Sequence, residues 1–395
     1  MMKRLLKNGL RFLLLGLYYP ALYRLHACRA VCSGKVVFIE NTSQGYSDNF
    51  RLILERIRQD AHLTPVLCML RQTESSGFAY HRRCCRMIRQ IADAQYIFLN
   101  DGLSILSRIP FRRETHIVNV WHACGAFKKF GFGSADLKFG ESRRVQERYP
   151  NYAYCDEMYV SAQEVVDKYA YSTGLPPKKI MPIGVSRTDV FFDAAFLKQA
   201  GSKLADLFPS SQGKKIILYA PTFRGTVRGA KAPQALDIGA FYEALSADYV
   251  LVIKQHPYVK ERPETDEAYA DFAADLTQEM SIEELLCAAD ICITDYSSVI
   301  FEYALLTRPM IFFAFDKEEY DDWRGFYYDY EEMTPGPVFT ENHEMIEYIR
   351  RIDACFDSEE VRAFREKFMS ACDGHATDRV MERFHAALPG TEEDQ

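Results

Sequence analysis

Residues Ile291–Phe313, ICITDYSSVIFEYALLTRPMIFF, predict a strand, a polar turn, a helix and a second strand in direct succession. The apolar residues Ile291–Thr294 form the first predicted strand, and the helix covers Val299–Leu306. The second strand, Met310–Phe313, follows a proline. Two buried strands joined by a helix are typical of a parallel sheet, because a parallel connection has to cross over the sheet.

The turn DYSS between the first strand and the helix is a candidate anion site. Backbone N–H groups at a helix start are unpaired and carry partial positive charge, and Ser297 and Ser298 add hydroxyl groups. Asp and Ser are also the favoured caps of any helix. The turn by itself therefore fits both ligand binding and simple capping.

The rest of the chain repeats the alternation of strand and helix. The other predicted strands are KVVFIE, TPVLCML, AQYIFLND, THIVNVW, EMYVSA, KIMPIG, KKIILYAPT and DYVLVIKQHP. Short apolar runs with helices between them indicate parallel sheets covered on both faces. We predict an α/β protein with two Rossmann-like parallel-sheet domains and a cleft between them. The predicted boundaries are 1–33 for an N-terminal segment, 34–195 for the first domain and 196–388 for the second.

Composition limits the classes of function. The chain has 395 residues and a formal charge of −7, which argues against a general nucleic-acid binder. Residues 1–39 nevertheless contain seven Lys or Arg and no Asp or Glu. The eleven cysteines form no pair of C-x-x-C motifs, so a structural zinc site is not predicted, and the odd number indicates a reducing compartment.

The N-terminal segment predicts an amphipathic helix that attaches to a membrane. Leu6, Leu10, Leu13 and Leu17 fall on one side of that helix, and basic residues gather on the other. The apolar run 12–23 is too short to span a bilayer, which needs about 20 residues. We favour peripheral attachment at the cytoplasmic face of the cell membrane. A signal peptide or anchor and an ordinary packed helix stay open.

Polar residues follow several predicted strands, where parallel sheets bind their ligands. They are His122, Thr222, Arg224, Lys254 and His256, with Arg187 near the junction of the two domains. A neutral histidine can take a proton from an attacking hydroxyl near pH 7, and cations neutralise phosphate oxygens. The set suits phosphate transfer, although each residue alone also fits ordinary packing, surface exposure or ion pairing.

Common motifs of other enzyme classes are missing. The chain contains no strand-to-helix G-x-G-x-x-G fingerprint, no Walker lysine motif, no HExxH zinc motif and no G-x-S-x-G elbow. No cofactor is implied, and no D-x-D pair at a strand end demands a metal.

Taken together, the segments WHACGAFKKFG, IGVSRTD, YAPTFRG, IKQHPY, ITDYSSVIFEYALLTRPMIFF and Gly336–Pro337 resemble the CDP-glycerol glycerophosphotransferases of teichoic acid synthesis. The resemblance covers roughly Val36 to Met381. It implies a GT-B fold on a monotopic membrane protein that transfers glycerol phosphate from CDP-glycerol to a hydroxyl of a lipid-linked saccharide or polyol-phosphate acceptor, releasing CMP. The family's two important histidines correspond to His122 and His256.

The resemblance also implies roles for the two domains and for the other residues. The acceptor is expected to bind the first domain, 34–195, on the membrane side, and the CDP-polyol donor is expected to bind the second, 196–388. The nucleotide- and phosphate-binding turn corresponds to Thr294, Asp295, Ser297 and Ser298. His122 is expected to act as general base, and His256 and Arg224 to stabilise the pyrophosphate. Glu302 is expected to reach the ribose hydroxyls. The full set of predicted substrate-binding residues is Arg187, Thr222, Arg224, Lys254, Thr294, Asp295, Ser297, Ser298 and Glu302.

The sequence departs from the family at several positions. Ala123 and Cys124 intervene where the family has Gly directly after the tryptophan–histidine pair, and Ser186 stands for the proline before Arg187. Glu302 stands for an aspartate and Arg308 for a lysine. Ribitol phosphate donors use similar sites, so a CDP-ribitol-dependent transferase is an alternative. A glycosyltransferase that uses a nucleotide sugar and a catalytically silent partner of polymer assembly also stay open.

Overall fold

The computed structural model describes residues 9–41, 47–72, 77–137, 140–226, 229–263, 265–317 and 325–387. The chain divides into two compact units. The first contains the chain up to Asp189 together with the chain from Ala371 onwards, and the second runs from Val190 to Ser370. Within the described ranges, each unit contains one sheet of six parallel strands. The prediction of two parallel α/β domains is therefore confirmed.

The first sheet has its switch point between β1 and β3. Its strands are β1 (Cys32–Glu40), β2 (Thr64–Met69), β3 (Ala94–Leu99), β4 (His116–Asn119), β5 (Glu157–Tyr159) and β6 (Ile180–Met181). They lie in the order β2-β1-β3-β4-β5-β6, and all neighbouring strands are parallel. The chain runs outwards from β1 to β2 and then returns to the other side of β1. Ligands bind beside the carboxyl ends of the strands at such a point.

The second sheet has its switch point between β7 and β10. Its strands are β7 (Lys215–Tyr219), β8 (Tyr249–Ile253), β9 (Ala273–Asp275), β10 (Ile291–Thr294), β11 (Met310–Phe313) and β12 (Val338–Phe339). They lie in the order β12-β11-β10-β7-β8-β9, again all parallel. The sequence did not predict β9 and β12, because edge strands of three and two residues carry no apolar run.

Helices connect the strands in both units. In the first unit a π-helix, Phe12–Tyr18, precedes the α-helices Tyr19–His26, Asp48–Arg58, Gly77–Ile91, Arg143–Arg148, Val166–Thr173 and Ala376–Ala387. The second unit contains the α-helices Ala194–Leu207, Ile238–Leu245, Ile282–Ala288, Val299–Ala304, Asn342–Arg350, Ile352–Cys355 and Ser358–Met369.

The helix Ile282–Ala288 begins where it does because of the residue that caps it, Ser281. Ser281 accepts from the backbone N–H of Glu284 at 3.1 Å, and the Glu284 carboxylate accepts from the N–H of Ser281 at 2.7 Å. This reciprocal capping box satisfies two donors that the first turn leaves unpaired.

The last helix of the chain packs on the first sheet. Phe384 is fully buried there, with its ring centroid 4.7 Å from that of Tyr96. Arg56 and Asp378 form an ion pair at 2.9 Å between that helix and the helix Asp48–Arg58. The predicted boundaries 34–195 and 196–388 treat the chain as two consecutive pieces, whereas the structure returns Ala371 onwards to the first unit. The assignment of the acceptor to the first domain and of the CDP-polyol to the second stays a prediction.

The N-terminal helical segment packs one side on the first unit and exposes the other. Tyr19 and Tyr23 are buried, and the Tyr19 hydroxyl lies 2.8 Å from Nδ1 of His81 on the helix Gly77–Ile91. Leu13 and Leu17 on the opposite side are 54% and 53% exposed. Leu6 and the basic residues before it lie outside the described residues. Among the described residues, no helix is both long enough and apolar enough to cross a bilayer.

Candidate active site

His122 lies directly after β4, at the carboxyl edge of the first sheet. Its ring Nδ1 is 2.8 Å from the backbone carbonyl oxygen of Asn100, which follows β3. A carbonyl oxygen only accepts hydrogen bonds, so Nδ1 carries the proton in the neutral ring. Nε2 then keeps its lone pair. The side chain is exposed, and the ring therefore has the tautomer that a general base needs.

An unusual backbone conformation at Trp121 sets the direction of His122. Trp121 has φ of 57°, in the left-handed region, where a bulky side chain costs about 1–3 kcal/mol. Its N–H donates to Oδ1 of Asn119 at 2.8 Å, and its ring is buried against Phe130 and Tyr169. Because the backbone turns at Trp121, the tryptophan side chain enters the core and the His122 side chain faces solvent.

A buried hydrogen-bond network holds the peptide that orients His122. The Asn100 side chain is 4% exposed, and its amide nitrogen donates to Oε2 of Glu40 at 2.7 Å and to the Ser47 hydroxyl at 2.8 Å. Glu40 ends β1 and is 2% exposed. The network therefore lies at the switch point between β1 and β3. Glu40 and Asn100 were not predicted from the sequence, since polar residues at strand ends are common.

The loop after His122 is fixed by its backbone. Gly125 has φ of 61°, its N–H donates to the Ser161 hydroxyl at 3.0 Å, and its carbonyl accepts from the Tyr169 hydroxyl at 2.8 Å.

Arg187, the other predicted site residue of this unit, is half-buried in a 3-10 helix. Its predicted contact with substrate stays a prediction.

His256 follows β8 in the second unit and has the opposite tautomer. The backbone N–H of Tyr258 donates to its Nδ1 at 3.2 Å, so Nδ1 is the acceptor and Nε2 carries the proton in the neutral ring. The ring lies between Phe223 and Tyr258, with centroid distances of 4.7 Å to each. His256 therefore presents a hydrogen-bond donor, which suits a phosphate oxygen rather than a hydroxyl proton.

Arg224 sits in a cluster of opposite charges after three neighbouring strands, β7, β10 and β11. Its guanidinium contacts Asp316 through two nitrogens, at 2.5 and 2.9 Å, and Oδ2 of Asp295 at 2.9 Å. Burial lowers the pKa of Arg224, but the two carboxylates outweigh that effect and raise it above its ordinary value. Two acids thus offset the charge that was predicted to meet the pyrophosphate.

Asp295 ties the ends of β7 and β10 together. It is 2% exposed, and its Oδ1 accepts from the backbone N–H of Thr222 at 2.8 Å and of Tyr296 at 2.6 Å. The neighbouring Thr294 is fully buried, and its hydroxyl donates to the carbonyl of Ala220 at 2.7 Å. Both side chains are therefore already bonded within the protein.

The side chain of Lys254 is also hydrogen-bonded within the protein. Its ammonium group donates to the carbonyl oxygen of Thr277 at 2.8 Å and to that of Met280. Burial lowers the pKa of Lys254. These bonds hold the chain after β9 against β8, so the position of the lysine has a structural explanation whether or not it also meets a substrate.

Two buried polar atoms at adjacent strand ends lack a hydrogen-bond partner among the described residues. They are Oγ1 of Thr222, after β7, and Oε1 of Gln255, after β8; both residues are 5% exposed. Buried polar atoms are almost always paired, so unpaired ones at a strand edge fit a ligand contact. Thr222 was predicted from sequence. Gln255 was missed, although it stands next to His256.

The predicted phosphate turn comes directly after Asp295. Ser297 and Ser298 are half-buried, and the Ser297 hydroxyl accepts weakly from the N–H of Val299 at 3.4 Å. Ser298 precedes the helix Val299–Ala304 and makes no side-chain cap. Glu302, which was predicted to reach the ribose, is buried at 3% exposure within that helix.

The structure therefore gathers nine predicted residues in the second unit and two, His122 and Arg187, in the first. In the second unit, direct contacts join Thr222, Arg224 and Asp295. Within the described ranges, no three His, Cys, Asp or Glu side chains are grouped closely enough to hold a metal ion.

Comparison with known proteins shows the family of the chain. The sequence profile of the CDP-Glycerol:Poly(glycerophosphate) glycerophosphotransferase family matches residues 21–386. The chain belongs to this family. The teichoic acid ribitol-phosphate primase of Bacillus spizizenii is 34% identical over 383 residues, which are 95% of this chain and 97% of the relative.

A longer relative and a solved structure are also similar to the chain. The teichoic acid poly(ribitol-phosphate) polymerase of Bacillus spizizenii is 33% identical over 89% of this chain, which spans only 56% of that polymerase. Among solved structures, a variant of the wall teichoic acid polymerase TagF with CDPG has a TM-score of 0.78 at 21% identity, covering 94% of this chain and 93% of that one. The structural likeness supports the fold of two parallel α/β units. The family match supports a transferase of teichoic acid synthesis.

Proposed function

We propose that the protein transfers a polyol phosphate from a CDP-polyol to a hydroxyl of a lipid-linked saccharide or polyol-phosphate acceptor, and releases CMP. The observation that carries the proposal is the tautomer of His122. Nδ1–H donates to Asn100, which leaves an exposed Nε2 as the base in a chain of this family.

The proposed step is a displacement at the β-phosphorus of the donor. Nε2 of His122 takes the proton of the acceptor hydroxyl, whose oxygen forms the new bond to phosphorus. The bond from phosphorus to the bridging oxygen breaks, and CMP leaves with that oxygen. The Nε2–H of His256 donates to a pyrophosphate oxygen as negative charge moves to CMP. Ser297 and Ser298 add hydroxyl contacts, and unpaired Oγ1 of Thr222 adds another.

The donor has two candidates. The resemblance and the family description favour CDP-glycerol. The 34% identity to a ribitol-phosphate primase of matching length favours CDP-ribitol. Nothing in the family match favours a nucleotide sugar.

A donor panel tests the proposal. CDP-glycerol, CDP-ribitol and UDP-sugars are offered in parallel with a lipid-linked disaccharide acceptor, CMP and UDP release are assayed, and products are identified by mass spectrometry. We expect CMP release with one CDP-polyol and a product heavier by one polyol phosphate. UDP release would favour a glycosyltransferase. No turnover with any donor, by a protein that still binds membranes, would favour a silent partner in polymer assembly.

We also propose peripheral attachment to the cytoplasmic face of the cell membrane. Leu10, Leu13 and Leu17 are 53–58% exposed along one side of the N-terminal helical segment. That segment packs on the helix Gly77–Ile91, whose exposed cations are Arg82, Arg86 and Arg89. An apolar stripe beside basic groups suits an anionic bilayer surface. No two of the eleven cysteines form a disulfide, and an odd number of cysteines is typical of a reducing compartment.

A further inference from the structure

Gln255 holds an unpaired amide oxygen at the carboxyl end of β8. The residue is 5% exposed, and its Oε1 has no hydrogen-bond partner among the described residues. Buried polar side-chain atoms are almost always paired, so an unpaired one calls for an explanation. A ligand that donates a hydrogen bond to Oε1 supplies that explanation.

The backbone at Gln255 is tied to the segment that follows β9. The N–H of Gln255 donates to the Thr277 hydroxyl at 2.7 Å, and the N–H of Thr277 donates in turn to Oδ1 of Asp275 at 2.8 Å. The preceding residue, Lys254, donates to the carbonyl oxygens of Thr277 and Met280. A position that is fixed before a ligand arrives suits the recognition of one particular chemical group.

The chemistry of the amide oxygen limits what it can bind. Oε1 only accepts hydrogen bonds, and an ionised phosphate offers acceptor oxygens, so the two do not pair. The hydroxyl of Thr222, the other unpaired group at this edge of the sheet, can donate and stays suited to a phosphate oxygen. Gln255 therefore fits an uncharged N–H or O–H group of the donor molecule.

Three aromatic rings lie beside the end of β8. The ring centroid of His256 is 4.7 Å from that of Phe223 and 4.7 Å from that of Tyr258, and the Phe223 and Tyr258 centroids are 5.8 Å apart. Phe223 is buried, whereas His256 and Tyr258 are half-buried. A nucleobase is a flat ring that stacks on aromatic side chains, and a polyol is not. The aromatic cluster therefore favours the base as the partner of Gln255.

The place of β8 in the sheet favours the base as well. The predicted phosphate turn, 294–298, follows β10, and β7 lies between β10 and β8. Two strand spacings put β8 about 10 Å from β10. In a CDP-polyol, the nearest polyol hydroxyl is only two carbons from the pyrophosphate, whereas the amino group of cytosine lies beyond the ribose. The more distant group suits the more distant strand.

We infer that Oε1 of Gln255 accepts a hydrogen bond from the 4-amino group of cytosine, so that Gln255 selects donors activated with CDP. The inference rests on the proposed function, in which the donor is a CDP-polyol. A pyrimidine without the amino group would leave Oε1 buried and unpaired in the complex. A site with an unpaired buried polar group binds the wrong ligand less tightly.

The test uses the full-length protein and two variants, Gln255→Met and Gln199→Met. Methionine keeps the approximate length of glutamine and removes the amide. Gln199 is the matched control, because it is an exposed glutamine of the same unit, on the helix Ala194–Leu207. Kd is measured calorimetrically for CDP-glycerol, CDP-ribitol, CDP and a CDP analogue that carries hydrogen in place of the 4-amino group. Tm is measured on the same samples without ligand.

We expect Gln255→Met to raise Kd about 10-fold for CDP, and by the same factor for each CDP-polyol that the wild type binds, since one buried hydrogen bond is lost. The wild type should bind the analogue about 10-fold more weakly than CDP, and Gln255→Met should bind the two alike. Tm of Gln255→Met should equal or exceed that of the wild type, because an apolar group replaces an unpaired polar atom. Gln199→Met should behave as wild type throughout.

Several results would overturn the inference. An unchanged Kd for CDP would remove Gln255 from the base site, and if Kd for the CDP-polyols rose nevertheless, the contact would be with the polyol. Equal increases for CDP and the analogue would place the contact away from the amino group. A wild type that bound the analogue as tightly as CDP would also overturn it, and this comparison needs no variant to fold.

The failure of the proposed function is a separate outcome. If the wild-type protein released no CMP from CDP-glycerol or CDP-ribitol, the transfer reaction would be rejected. Its Kd values for CDP and for the analogue would still decide whether the amino group is recognised. A wild type that bound neither nucleotide would overturn the inference.

Discussion

Replacement of His122 separates a catalytic role from a structural one. His122→Ala removes the Nε2 lone pair and the 2.8 Å hydrogen bond to the carbonyl of Asn100. Loss of a positioned base lowers turnover by about 10²–10⁴-fold, which corresponds to about 2.7–5.5 kcal/mol of barrier. The lost hydrogen bond of an exposed side chain is worth only about 1 kcal/mol of unfolding free energy. The effect on rate should therefore greatly exceed the effect on stability.

The assay is single-turnover CMP release, with Kd for the CDP-polyol and thermal unfolding measured on the same samples. We expect the single-turnover rate constant to fall by the stated factor with donor Kd unchanged, since the base acts on the acceptor. His62→Ala, at an exposed histidine of the same unit, is the control and should behave as wild type. Near-normal turnover in a folded His122→Ala protein would refute the role. A loss of donor binding equal to the loss of rate would reassign His122 to binding.

Four further outcomes follow from the geometry. Ser297→Ala and Ser298→Ala should each weaken CDP-polyol binding by about 1.5–3 kcal/mol; calorimetry showing an unchanged Kd together with a lower Tm would favour capping instead. Leu13→Asp with Leu17→Asp should reduce flotation with anionic vesicles while leaving transfer to a soluble acceptor intact, because both side chains are exposed; equal flotation would place the attachment elsewhere. Arg224→Ala should lower the unfolding free energy by about 3–5 kcal/mol in denaturant titrations, since Asp295 is left buried without its cation, and a smaller loss with Arg224→Lys would confirm the charge contribution. Burial raises the pKa of Glu157, but Arg383 outweighs it and holds the pKa below its ordinary value; the ion pair therefore stabilises the fold above the unfolded-state pKa of about 4.3 and is lost as pH falls through the folded-state pKa, so wild type and Glu157→Gln should converge in stability under acid.

The sequence predicted those parts of the fold that depend on strong local patterns. The strand–turn–helix–strand unit from Ile291 to Phe313 appears as β10, the helix Val299–Ala304 and β11. The edge strands β9 and β12 and the return of the helix Ala376–Ala387 to the first unit were not predictable in this way. Phe384 reads as one apolar residue of an amphipathic helix, and only the fold shows that its partner is Tyr96, far back in the chain.

The sequence predicted where the residues of the candidate site lie in the fold, but it did not predict which hydrogen bonds their side chains make. Residues after strands were correctly expected to lie at sheet edges, yet the sequence does not show that Thr294 bonds to Ala220 or that Lys254 bonds to Thr277. Their roles toward substrate stay predictions. Likewise, the tautomer of His122 depends on the carbonyl of Asn100, and the sequence carries no signal for a bond between a ring and a distant backbone oxygen.

The return of the helix Ala376–Ala387 to the first unit has a consequence for synthesis on the ribosome. Val380 and Phe384 are fully buried in one core with Phe38 and Phe98, so the first hydrophobic core lacks part of its packing until these two late residues have been made. Synthesis proceeds at roughly 5–20 residues per second, so about 15–60 s pass between Arg58, which ends the helix Asp48–Arg58, and Ala376, where the helix that packs beside it begins. The second unit, Val190–Ser370, is complete before that. The second unit can therefore reach its native state first, while the earlier part of the first unit waits with apolar surface exposed and available to chaperones.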